Sequence, residues 1–88
     1  MKLIPLKVSQ NAINKANRMR GSELVTKSCA AYQALSEAGI DARVVGSYDF
    51  NVGGMYFDWH TDARILIRKF DERQTIEPQT IHFIVKES

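Results

Sequence analysis

The stretch "MYFDWHTDARILIR", residues 55–68, decides how the chain is expected to fold. Its odd positions from 55 to 67 read Met, Phe, Trp, Thr, Ala, Ile, Ile. Its even positions from 56 to 68 read Tyr, Asp, His, Asp, Arg, Leu, Arg. The alternation keeps one phase through its polar middle, which is the period of a β-strand with one buried face. A single continuous strand keeps that phase, at a length of roughly 45 Å if flat. A hairpin with a three-residue loop at 61–63 keeps it too, because an odd loop length preserves the faces. "TDA" lacks the Gly or Asn that such a loop favours, so the expectation is one strand that bends or twists strongly.

Upstream, "NVGG" at 51–54 reads as a hairpin turn. Gly53 and Gly54 suit the two positive φ angles of a type I′ loop, and that register sets Phe50 opposite Phe57 and Tyr48 opposite Trp59. A loop centred on Val52 and Gly53 is the competing register. "ARVVGSYDF", 42–50, reads as the preceding strand, with Ala42, Val44, Gly46, Tyr48 and Phe50 on one face. Farther back, "KLIPLKV" at 2–8 reads as a first strand, and Pro5 places it at a sheet edge because proline has no N–H for a ladder. Ser9 fits the N-cap of a short helix from about 10 to 20, with Ala12, Ile13, Ala16 and Met19 as its apolar stripe. Gly21 and Ser22 read as a break and a new cap. A second helix follows at about 23–38, with Leu24, Val25, Ser28, Cys29, Tyr32 and Leu35 on one side and Gly39 closing it. One long helix with a tolerated glycine is the alternative. Downstream, 71–80 reads as a polar loop, and 81–86 reads as a last strand with Ile81, Phe83 and Val85 facing in.

The expected fold is therefore a single α+β domain over residues 1–88, in two layers. An antiparallel sheet of three to five strands carries one long helix, preceded by a short one, on one face. The order is β-α-(α)-β-β-β.

Composition bounds the function. The chain has 88 residues, 44% hydrophobic and 25% charged, which is ordinary for one small globular domain. That size leaves little room for a deep pocket. Cys29 is the only cysteine, so no intrachain disulfide forms. No apolar run approaches the ~20 residues a membrane span needs, and the first residues do not read as a signal peptide. The expectation is a cytoplasmic protein with no membrane partner. Net charge is +2, unevenly placed. Residues 1–40 carry Lys2, Lys7, Lys15, Arg18, Arg20 and Lys27 against Glu23 and Glu37.

Three clusters carry chemically capable side chains. Asp58, His60 and Asp62 share one face of a strand, and imidazole with two carboxylates suits Zn²⁺ or Mn²⁺. A fourth ligand is missing, so the stronger reading is a solvated strand face, with no metal and no cofactor. Lys15, Arg18 and Arg20 stand just before the helix start expected at Ser22, an arrangement that favours a nucleic-acid phosphate. Tyr56, Asp58, His60, Asp62 and Arg64 form a charge-mixed strand face of the kind proteins bind. Cys29 and His82 read as a core residue and an outward strand residue.

No catalytic set emerges, and a metal-dependent hydrolase is a distant third reading. The first expectation is a small non-catalytic protein-interaction module that regulates or inhibits a larger assembly. Small proteins that block or tune larger machines, including those of mobile elements, often have this form. Its partner would be a protein, with a second copy of the chain reachable through a sheet edge. The alternative is a nucleic-acid-binding module using the basic first helix.

Overall fold

A computed structural model describes residues 2–19 and 29–85. The elements run β1 (Ile4–Val8), α1 (Gln10–Arg18), α2 (Ala30–Glu37), β2 (Val44–Val45), β3 (Asp49–Val52), β4 (Met55–Trp59), α3 (Thr61–Asp71) and β5 (Gln79–Val85). The strands form one antiparallel sheet in the order β1-β5-β4-β3-β2, of which β2 is only a two-residue edge. The helices cover one face of it, so the domain is a two-layer α+β fold with an antiparallel sheet.

Two locally specified elements form where the sequence places them. Gly53 and Gly54 have φ of 57° and 87°, and Phe50 pairs with Phe57 while Val52 pairs with Met55. This is the register of a Gly53–Gly54 loop. In α1, the Ser9 hydroxyl accepts from the Ala12 amide at 3.0 Å, and Ala12, Ile13 and Ala16 are buried.

Three expectations are corrected. The strand expected through 55–67 ends at Trp59, and neither a continuous strand nor a hairpin follows. The chain turns into α3 at Thr61 and buries Ala63, Leu66, Ile67 and Phe70, the i, i+3, i+4, i+7 spacing of a helix. Ile65, expected in the core, is half exposed at 50%. The strand expected over 42–50 folds back at Gly46: Val45 pairs with Phe50, and the Gly46 amide donates to the Asp49 carbonyl at 2.8 Å. Val45 therefore packs against the core, and Tyr48 ends 68% exposed. Last, Cys29 occupies the extended N-cap position of α2 and is not inside a helix.

The core is one cluster. Leu6, Val8, Ile81, Phe83, Trp59 and Phe50 come from the sheet, and Ala34, Leu35, Leu66 and Phe70 from the helices. Phe50 lies 4.5 Å from Trp59 and 5.1 Å from Phe83, ring centre to ring centre, the latter edge to face. Such pairs add about 0.5–1.5 kcal/mol beyond the area they bury. The Trp59 indole N–H reaches the Gly46 carbonyl at 3.1 Å and so ties the β2–β3 reversal to the core.

Pro5 sits at an edge, as its missing N–H requires. It lies opposite His82, whose amide and carbonyl both point away from β1, toward the β4 side. Pro5 therefore faces outward and removes a donor from the middle of the free edge of β1.

Candidate functional site

Residues 58–64 are split among three places. Asp58 stays on the sheet face that no helix covers, directly opposite Asp49 and Ile84. Tyr56 lies on the same face and is 54% exposed. His60 is the N-cap of α3, and its carbonyl accepts the first helical bond from the Arg64 amide at 3.1 Å. That carbonyl is then spent, although the neighbouring strand would normally use it. Asp62 takes its place: its Oδ1 accepts from the His82 backbone N–H at 3.0 Å, while the His60 N–H still donates to the His82 carbonyl at 3.0 Å. The strand ladder is thus continued for one more rung by a side chain. The expected face of Tyr56, Asp58, His60, Asp62 and Arg64 does not form, because a helix turns each residue by about 100° and scatters every second residue.

The second oxygen of Asp62 meets His82 Nδ1 at 2.6 Å. Burial alone would raise the Asp62 carboxyl. Hydrogen bonds from the His82 ring and from the His82 and Ala63 backbones, together with the charge on His82, outweigh burial and hold it below its ordinary value. The carboxylate fixes the proton on Nδ1. Among the described residues no hydroxyl or thiol hydrogen-bonds this ring. Its evident work is to fasten α3 to β5. Among the described residues, no three His, Cys, Asp or Glu side chains are placed to hold a metal ion.

The basic cluster is only partly described. Lys15 and Arg18 lie in the last turn of α1 and are exposed, whereas Arg20 and Ser22 lie outside the described residues. Lys7 and Lys15 both lie near Glu37. That carboxylate accepts from the Ser9 hydroxyl at 2.5 Å and from the Asn11 amide at 2.9 Å, and it sits below its ordinary pKa through these bonds first and the two lysines after. The positive charge of this corner is therefore shared with an acid. Burial pushes the Cys29 thiol above its ordinary value, which suits a packing residue better than a nucleophile.

One surface went unseen in the sequence. Ser47, Tyr48, Thr61, Arg64, Ile65, Arg68, Asp71 and Glu72 line a groove of about 470 Å³ between the β2–β3 reversal and α3. The Arg64 guanidinium lies 5.1 Å from the Tyr48 ring centre, in cation–π range. Arg68 pairs with Glu72 at 3.5 Å. One wall depends on the reversal at Gly46 and the other on the helix at 61–71.

No described helix is long and apolar enough to cross a membrane. No protein-family model, curated protein or solved structure matches the chain.

Proposed function

We propose that the chain is a small non-catalytic protein-interaction module that regulates or inhibits a larger assembly. The observation that carries this reading is the uncovered face of the sheet. Tyr56 stands there at 54% exposure with Asp58 two residues along the same strand, the His82 ring bonded to Asp62 lies farther along the neighbouring strand, and Leu3 at the head of β1 is 40% exposed. Antiparallel sheets can leave one face to water. A face that mixes a tyrosine, aliphatic side chains and charges also has the make-up of a transient protein interface. Pairing with a second copy along β1 is opposed by Pro5, and β2 offers only two residues, so a face is favoured over an edge.

Affinity capture from the native cell tests the proposal. A stoichiometric protein partner that survives nuclease treatment and is lost with Tyr56→Asp is the expected result. Recovery that nuclease abolishes would favour nucleic-acid binding through Lys15 and Arg18 instead.

A further inference from the structure

We infer that the groove between the β2–β3 reversal and α3 binds an extended segment of a partner protein in which an acidic, a large apolar and a basic residue alternate. The inference rests on the protein-interaction reading and gives it a second surface with a stated ligand chemistry.

Three features of the groove lead there. Tyr48 and Ile65 come from different elements, and both leave large apolar surface in solvent, at 68% and 50% exposure. They face one groove whose volume is in the range of ligand sites. Arg64 is laid on the Tyr48 ring. That stacking holds the guanidinium in place and leaves its donor edge for a carboxylate, so less side-chain freedom is lost on binding. Tyrosine and arginine are also the residues that most often dominate interface energies.

The third feature is polarity. Arg64 stands near the N-terminus of α3, while Asp71 and Glu72 stand at its C-terminus. Both placements oppose the helix dipole, which favours acids at the start and bases at the end, whereas Asp62 in the first turn and Arg68 and Lys69 in the last turn follow it. The groove consequently has Arg64 toward one end and Asp71 toward the other, with Arg68 and Glu72 paired to each other beside them. From residue 64 to residue 72 the helix rises about 12 Å. Four residues of extended chain span about 13 Å, and alternate side chains point the same way. An acid at the first position meets Arg64, an apolar residue at the third packs on the Ile65–Tyr48 surface that adjoins Arg64, and a base at the fifth meets Asp71, next to the Glu72 carboxylate that Arg68 already holds. A single-stranded nucleic acid fits less well, because its phosphates would run past those two carboxylates.

The probe is a fluorescent peptide, Gly-Asp-Ser-Leu-Ser-Lys-Gly, titrated into the full chain beside a version with Lys in place of Asp. The native chain is expected to prefer the Asp peptide. Arg64→Glu should weaken that binding at least tenfold and make the Lys version the tighter ligand. Tyr48→Ala should weaken both peptides, with the circular dichroism of each variant unchanged. Failure of the native chain to distinguish the peptides, or binding indifferent to Arg64→Glu, would overturn the inference. So would oligo(dT) binding that Arg64→Glu removes. If peptide binding fails while nuclease-resistant capture through Tyr56 succeeds, only the groove is wrong; if capture fails as well, the module reading falls with it.

Discussion

α2 and α3 lie on the same face of the sheet and end in the same hydrogen-bond pattern. After α2, the Gly39 amide donates to the Ser36 carbonyl at 3.0 Å and the Ile40 amide to the Leu35 carbonyl at 2.9 Å. After α3, the Arg73 amide donates to Phe70 at 3.1 Å and the Gln74 amide to Lys69 at 2.9 Å. Both are Schellman closures, which satisfy carbonyls that the last turn leaves without partners. The turn residue has φ of 79° at Gly39 and 61° at Arg73. The helices also differ in where a carboxylate fastens them. Glu37 ties the end of α2 to Ser9 and Asn11, whereas Asp62 ties the start of α3 to β5. The need to satisfy the backbone sets the pattern, and residue identity sets its cost.

The strongest way to break this pairing is to ask whether both helices belong to one cooperative unit. Leu35 on α2 and Leu66 on α3 are fully buried in the same cluster. Leu35→Ala and Leu66→Ala should each cost about 2–5 kcal/mol, the range for a leucine removed from a close-packed core. Urea unfolding followed by far-ultraviolet circular dichroism and by Trp59 fluorescence should give coincident transitions in both variants. If the two probes separated in Leu66→Ala alone, α3 would be an appended element and not an equal partner of α2.

The carboxylate ties give the next largest effect. Asp62→Ala leaves the His82 backbone N–H without its acceptor, and it should cost about 1–2 kcal/mol at neutral pH, the worth of a charge-assisted bond discounted for solvent access. The Asp62 carboxyl is held below its ordinary value of 3.8 in the folded chain. Its contribution is therefore complete above that value and is lost as pH falls through the folded one. Chemical denaturation between about pH 7 and pH 2 should show the native chain losing stability on that limb, and Asp62→Asn flattening it. An unchanged acid limb in Asp62→Asn would show that the tie is no more than a geometric contact.

These elements differ in how far the sequence discloses them. The β3–β4 hairpin was legible because two independent signals, the paired glycines and the alternation around them, agree. Gly39 was legible because glycine is the usual residue at that φ. Residues 61–71 are ambiguous in the sequence because Ala63, Ile65 and Ile67 satisfy a period of two, while Ala63, Leu66, Ile67 and Phe70 satisfy a period of 3.6. Over so short a run the periods overlap. Phe70 separates them, since it falls out of the strand phase and into the helical one. The strand reading at 42–50 failed at Gly46, where alternation continues in the sequence although the chain reverses. Asp62 stands out in the sequence by its type, but its partner, the backbone of His82, lies 20 residues away and is fixed only by sheet register. The groove at Tyr48 was invisible for the same reason: its two walls exist only once the reversal and α3 are both formed.

The smallest effect tests residue identity at the two closures. Outside glycine, the left-handed region costs about 1 kcal/mol, because Cβ crowds the following carbonyl. Arg73 bears that cost now, and Gly39 does not. Arg73→Gly should therefore stabilise the chain by up to about 1 kcal/mol, offset in part by the greater freedom of glycine in the unfolded chain. Gly39→Ala should destabilise it by a similar amount, although nothing lies within 4 Å of the Cβ that would be added. The open space matters, since it removes packing as an explanation and leaves backbone conformation alone to decide the sign. Thermal unfolding of the two variants should move in opposite directions. A loss of stability in Arg73→Gly would mean that the Arg73 side chain holds the end of α3 by contacts that outweigh its backbone strain, and the two closures would then be alike in hydrogen bonds only.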